Sequence, residues 1–195
     1  MATPKFATVS KSFHTELKQR VNKYFSEAGK SFTGNATLYT KAIVLFALFI
    51  FLYVHLVFFT PGTFWALLEC ILMGFVTAAI GFNIMHDGAH GSFSTNKSVN
   101  TLAAISLNIL GGSHFMWNMK HNVIHHAYTN IDGVDDDIDI KPWMRMSTTQ
   151  PKHALHRYQH IYFWFLYSML YIFWIFVLDY QKYFKRKIGG MPLKK

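Results

Sequence analysis

The sequence is poor in charged residues and in cysteine. Only 15% of its 195 residues are Asp, Glu, Lys or Arg, whereas about 25% is usual for soluble domains. Low charge combined with 17% aromatic residues excludes an intrinsically disordered chain. The single cysteine, Cys70, excludes an internal disulfide framework, a four-cysteine zinc site and an iron–sulfur cluster held by this chain alone. The HExxH pattern of zinc proteases is also absent.

Hydrophobic residues, in contrast, make up 51% of the chain and are concentrated in three long runs. At about 1.5 Å per helical residue, such runs come close to spanning a hydrocarbon core of about 30 Å. They predict an all-α integral membrane protein, the alternative being helices buried in a large soluble core. The linker of residues 60–63 (TPGT) is so short that the first two runs should form a hairpin. The runs cover residues 42–59, 64–85 and 161–178.

The distribution of charge supports a membrane protein and suggests its orientation. Residues 1–41 carry seven basic and two acidic side chains, so the positive-inside rule places the N-terminus in the cytoplasm. If the hairpin crosses twice, the stretch after Met85 is cytoplasmic too. Residues 1–40 read as a basic amphipathic segment lying on the membrane surface, and residues 41–195 as the main domain. Because the basic residues flank membrane segments, we do not expect a nucleic-acid partner.

Nine of the eleven histidines lie in the mostly polar region of residues 86–160. His86 and His90 are four residues apart, so an α-helix places both on one face. His121 and His125 have the same spacing, and in an α-helix His126 would be rotated about 100° further. Imidazoles converging from two helix ends could bind iron, zinc, copper or nickel. An apolar helix over residues 99–110 is predicted between the clusters, too short to span a bilayer.

The strings HDGAHGSFS (residues 86–94) and WNMKHNVIHHAYTN (residues 117–130) resemble the first and second histidine boxes of the membrane fatty acid desaturases. With IDGVDDDIDIKPW (residues 131–143), they are most similar to the front-end or linoleoyl-CoA desaturase-like branch. The similarity covers nearly the whole chain, so that residues 41–195 resemble the N-terminal portion of a desaturase domain.

The resemblance implies a cytoplasmic centre of two non-haem iron ions that uses O2 to introduce a double bond into an acyl chain in lipid metabolism. The implied substrate is a fatty acyl group linked to a lipid or to CoA. Residues 1–40 contain no His-Pro-Gly-Gly haem-binding string, so a separate b-type cytochrome or ferredoxin is expected to donate electrons. The metal ligands carried over from the boxes are His86, His90, His121, His125 and His126. Candidates for supporting these ligands are Asp87, His114 and Asn122.

The family's third box, Gln-x-x-His-His or His-x-x-His-His, has no counterpart after His126. We therefore expect the chain to be the front part of a longer desaturase, with little activity as it stands. Three alternatives remain open: a membrane di-iron hydroxylase of lipids, a haem-binding membrane subunit, and an inactive or accessory metal-binding membrane fragment.

Several polar groups allow two interpretations. The histidines at 153, 156 and 160 either complete a metal site or cap a helix at the membrane interface. His55 and Glu69, inside the apolar runs, are either packing residues or functional groups. The five aspartates of residues 132–139 do not fit an EF-hand, and are either a solvated loop or a contact for an electron donor or headgroup. Basic residues flank the third run on both sides, so its orientation stays open between a crossing and a tilted or re-entrant helix.

Overall fold

The computed structural model describes residues 13–189 and 191–193. The chain is mostly helical, and three of its helices are long and apolar enough to cross a membrane. The predicted all-α membrane class is therefore confirmed. The described residues divide into two compact units, residues 13–110 and residues 111–193.

The first unit begins with helix α1, Phe13–Glu27. It confirms a helix in the basic N-terminal segment, of which residues 1–12 lie outside the described part of the chain. Arg20 pairs with Glu16 at 2.5 Å and Lys23 with Glu27 at 3.7 Å, both one helical turn apart. No residue of α1 is buried, and Phe13 is 82% exposed. The apolar side of α1 is thus available to a lipid surface.

The predicted membrane hairpin follows. Helix α2, Ala36–Val54, starts at Asn35, whose side chain accepts a hydrogen bond from the Leu38 amide. It continues into a π-helical turn, His55–Phe59, and the chain then reverses at Thr60, which has a left-handed φ of 41°. Helix α3, Thr63–Ile80, runs back and leads through a second π-helical turn, Gly81–Met85, into α4, His86–Ala89.

Polar residues within and beside the apolar runs pair across this hairpin. Nδ1 of His55 lies 2.9 Å from both carboxylate oxygens of Glu69. Near the other end of α2, Nζ of Lys41 donates to Oδ1 of Asn83 at 2.6 Å. Pairing lowers the cost of keeping polar groups in an apolar environment. These contacts therefore fix how α2 and α3 lie side by side.

Helix α5, Lys97–Ile109, confirms the short helix predicted between the histidine clusters. The Asn96 side chain caps it by accepting from the amides of Ser98 and Val99. Its buried face joins the core formed with the hairpin. That core contains Ala42, Leu52, Val76, Ile80, Ile84, Phe93 and Ala103.

The second unit contains the second histidine cluster and the third apolar run. Helix α6, His114–Asn118, passes through a π-helical turn, Met119–His125, into α7, His126–Tyr128. A 3₁₀ turn, Asp136–Ile138, lies in the polar stretch that follows. Then come a 3₁₀ turn Ala154–Tyr158, α8 Gln159–Phe173, a π-helical turn Trp174–Leu178, α9 Asp179–Lys185, and the antiparallel strands β1 Lys187–Ile188 and β2 Met191–Pro192.

Both ends of the third candidate span, Ala154–Lys185, contact the same polar stretch of chain. At the start, the Gln159 side chain accepts from the Arg145 amide at 3.1 Å, and the Tyr162 hydroxyl donates to the Trp143 carbonyl. At the end, Lys182 pairs with Asp136. Just beyond it, Ile188 is buried in one cluster with Met116, Ile124 and Val134. Residues 136–145 therefore reach both ends of this helix.

Candidate metal centre

The first histidine cluster stands on α4, directly after a π-helical turn. The His90 amide donates to the His86 carbonyl, and the two imidazole centroids lie 4.5 Å apart. Oδ1 of Asp87 lies 3.7 Å from Nδ1 of His86, which is longer than a hydrogen bond. The backbone carbonyl of Asp87 accepts hydrogen bonds from the Ser92 and Phe93 amides, and these bonds close the turn after α4.

Gly88, between the two histidines, is the point where α4 touches α5. A Cβ at this position would lie 2.6 Å from Cβ of Ala103 and 2.7 Å from the Ala104 nitrogen and the Asn100 carbonyl oxygen. The close approach therefore requires glycine. We did not predict this role, although a glycine inside a helical histidine motif is a signal of close packing.

Asn100 of α5 holds the loop that follows the first cluster. Its buried side chain accepts from the Ser94 amide at 2.7 Å and donates to the carbonyls of Ser94, at 2.7 Å, and Gly91, at 3.2 Å. Buried polar groups of a loop need such partners. This residue was also missed, because its partners are set by tertiary structure.

The second histidine cluster lies on a π-helical turn and not on the α-helix assumed from its spacing. The His126 amide bonds to the His121 carbonyl, five residues earlier. This i to i+5 pattern brings His126 over His121, with ring centroids 4.7 Å apart, while His125 and His121 stack at 5.3 Å. His126 therefore packs against His121, and its ring centroid lies 5.6 Å from that of His125.

Two aspartates of the polar stretch join this cluster. Nδ1 of His125 lies 3.0 and 3.2 Å from the carboxylate oxygens of Asp135, and 3.3 Å from Asp137. The possible ligand atoms of His121, His125 and Asp137 all lie within 4.8 Å of one another. Burial by itself would raise the pKa of Asp137, but Lys120 and the two histidines together hold this pKa below its usual value. Asp137 is thus a ligand candidate that sequence reasoning missed.

The acidic stretch is paired internally. Lys120 contacts Asp137 at 2.6 Å, and Lys141 contacts Asp132 at 3.1 Å and Asp139 at 3.2 Å. Hydrogen bonds from Lys141 and Gln150 lower the pKa of Asp132, and bonds to Asp132 and Asp139 raise the pKa of Lys141. The expectation of a solvated loop is wrong for Asp135, which is only 1% exposed.

The remaining candidate side chains have local partners of their own. His114 is the first residue of α6, after the N-cap Ser113, and partial burial lowers its pKa. The Asn122 side chain donates to Oδ1 of Asn118 at 2.7 Å. Nδ1 of His156 accepts from the His153 amide, and its Nε2 lies 2.8 Å from the Pro142 carbonyl oxygen. These bonds fit the helix-capping interpretation of His153 and His156.

Comparison with known proteins supports the same reading of the histidine motifs. The chain is 38% identical over 176 residues to the sn-1 linoleoyl-lipid 6-desaturase of Arthrospira platensis, covering 90% of this chain and 48% of that protein. The enzyme of the same name from Synechocystis sp. is 34% identical over 187 residues, with 93% and 52% covered. The acyl-lipid (8-3)-desaturase of Physcomitrium patens is 34% identical over 188 residues, with 95% and 39% covered. The chain thus spans about half the length, or less, of these relatives.

No solved structure gives a significant match to the chain. The sequence profile described as fatty acid desaturase matches residues 62–192, which include both histidine clusters, Asp135 and Asp137. With the histidine strings, the three apolar helices and these relatives, the match shows that the chain belongs to the fatty acid desaturase family.

Proposed function

We propose that the chain provides histidine ligands for a di-iron centre in an O2-dependent desaturase of fatty acyl chains. The observation that carries the proposal is the second cluster, where a π-helical turn collects three imidazoles and Asp137 adds a carboxylate. Imidazole and carboxylate are the donors that non-haem iron uses.

The donor set fits iron in a further respect. Because Nδ1 of His125 faces Asp135, Nε2 is the nitrogen that this residue presents to a metal. We assign His86, His90, His121, His125 and His126 as ligands of two iron ions, with Asp137 as an additional candidate. The iron, when bound, supplies the activation of O2 needed to remove two hydrogens from adjacent methylenes of the acyl chain.

The protein's own part is to bind and position the substrate. An open apolar groove of about 550 Å³ runs along α2 from Tyr39 to Ile50, and Phe93, three residues after His90, also lines it. Its lining is almost entirely apolar, as an acyl chain requires. The relatives are named as acyl-lipid or linoleoyl-lipid desaturases, which favours a lipid-linked acyl group over acyl-CoA. Reduction of the iron requires electrons from a redox donor, for which a b-type cytochrome or a ferredoxin is the candidate.

We place the N-terminal segment and both histidine clusters on the cytoplasmic side of the membrane. Six of the seven basic residues among residues 1–41 precede the first candidate span, Ala36–Phe59, and Lys41 lies in its second turn. Basic side chains beside a span favour the cytoplasmic side.

The test is to express the complete reading frame that contains this chain in a host that has no such desaturase, supplied with oleic and linoleic acids, and to analyse the acyl products by mass spectrometry. We expect products two hydrogens lighter than their precursors, lost in His121→Ala and kept in the control variant His14→Ala, which changes an exposed histidine of α1. A product with one added oxygen would instead establish a hydroxylase. Full desaturation by His121→Ala would overturn the assignment of the second cluster.

A further inference from the structure

Asp135 is the most deeply buried acidic residue among the described residues. Its side chain is 0% exposed, whereas the side chain of His125, which it contacts, is 24% exposed. A carboxylate removed from water is costly unless hydrogen bonds replace the lost hydration. The surroundings of Asp135 therefore indicate why it is tolerated there.

Three groups surround the two oxygens of Asp135: two backbone amides, one for each oxygen, and Nδ1 of His125, which lies near both. Oδ2 accepts from the Asn130 amide at 2.8 Å and lies 3.0 Å from Nδ1 of His125. Oδ1 accepts from the Asp137 amide at 3.0 Å and lies 3.2 Å from the same nitrogen. The two backbone amides fix the carboxylate independently of the imidazole. Asn130 adopts a left-handed φ of 62°, so the turn after α7 folds around this carboxylate.

We propose that Asp135 is a positioning residue for the metal centre: its carboxylate accepts a hydrogen bond from Nδ1–H of His125, which leaves Nε2 as the nitrogen available to iron. A carboxylate behind a histidine ligand fixes its tautomer and ring orientation and makes it a better donor. The inference rests on the proposed function. It assigns to Asp135 the role that the sequence suggested for Asp87, whose carboxylate stands 3.7 Å from His86.

Two other aspartates of the same stretch differ in ways that make them useful for comparison. Asp137 also approaches His125, but it pairs with Lys120 at 2.6 Å and is itself a ligand candidate. Asp139 has a side chain that is 46% exposed and contacts Lys141. Asp139→Asn therefore removes one carboxylate from this stretch without touching a histidine.

The experiment compares the native protein, Asp135→Asn and Asp139→Asn, each expressed from the complete reading frame. The probe is ⁵⁷Fe(II) added without oxygen to metal-free protein, with bound iron measured by mass spectrometry and its environment by Mössbauer spectroscopy. Asparagine keeps the size of the side chain and one accepting oxygen but loses the charge. We expect Asp135→Asn to bind iron about 10- to 100-fold more weakly, with an altered quadrupole splitting, and Asp139→Asn to match the native protein.

The outcomes separate the two proposals. If the native protein binds no iron, the proposed di-iron function fails. If the native protein binds iron and Asp135→Asn binds it equally well with the same spectrum, the role of Asp135 is wrong. A weaker Asp135→Asn whose remaining iron gives the native spectrum, and whose thermal midpoint falls in parallel, would assign Asp135 to folding alone and also overturn the inference.

Discussion

Replacing Gly88 by alanine tests whether close contact between α4 and α5 sets the position of the first histidine cluster. The new Cβ would stand 2.6–2.7 Å from three atoms of α5, about 0.7–0.8 Å closer than ordinary contact. Two of these atoms belong to the backbone, so they move only if the helix moves. We therefore expect α4 and α5 to separate, which displaces His86 and His90.

The magnitude follows from a matched variant. Gly74 lies within α3, and a Cβ there meets nothing within 4 Å. Both substitutions gain the helix propensity of alanine over glycine, about 1 kcal/mol, so that this gain cancels in the comparison. What remains is the overpacking cost at Gly88, about 1–3 kcal/mol. At about 2–4 °C per kcal/mol for a chain of this size, Gly88→Ala should unfold about 2–12 °C below Gly74→Ala.

The assay is thermal unfolding in detergent, followed by tryptophan fluorescence, with bound iron measured on the same samples. Gly88→Ala should lose both stability and iron relative to Gly74→Ala. An equal or higher midpoint for Gly88→Ala, with native iron content, would refute the argument that this glycine is required for contact.

Three further predictions concern other contacts. Asn100→Ala leaves buried groups of the loop at Ser94 without partners and should cost about 2 kcal/mol, seen as a lower midpoint in the same thermal assay; an unchanged midpoint would contradict the anchoring role. Lys141→Gln removes the main cause of the lowered pKa of Asp132. The ionised Asp132 stabilises the fold fully above its unfolded-state pKa of about 3.9, and this stabilisation is lost as the pH falls through the lower pKa of the folded state. Acid unfolding of this variant should therefore begin at a higher pH than in the native protein, and an identical acid titration would argue against the pair. Two variants, each with a single cysteine in place of Ser147 or Lys187, should react with an impermeant thiol reagent from the same side of sealed vesicles. The reason is that both ends of α8–α9 contact residues 136–145. Labelling from opposite sides would show that the helix crosses the membrane.

The parts of the structure that could be predicted from sequence are those governed by local pattern. The hairpin follows from two apolar runs and a four-residue linker, and the histidine pairs follow from i, i+4 spacing. The π-helical turn at His121 could not be predicted in this way, because a shift of the backbone hydrogen bond to the fifth residue leaves no signature in side-chain type.

The supporting residues escaped prediction for a different reason. Asp135 stands among four other acidic residues of the same stretch, and what distinguishes it is burial against His125 and two backbone amides. Gly88 and Asn100 depend on how closely α4 approaches α5. Such roles arise from tertiary contacts, which local sequence patterns do not predict.

The contact between His55 and Glu69 has a consequence for how the protein is made. A lone charged side chain costs about 2.5–3.5 kcal/mol to insert at the centre of a membrane helix. Glu69, the seventh residue of α3, would carry part of this cost if α3 entered the bilayer by itself. The carboxylate is satisfied when α2 already lies beside it, since Nδ1 of His55 reaches both of its oxygens at 2.9 Å. The linker of residues 60–63 keeps the two helices within reach during synthesis. The hairpin is therefore suited to enter the membrane as one preassembled unit, in which His55 of the first helix lowers the cost of inserting Glu69 of the second.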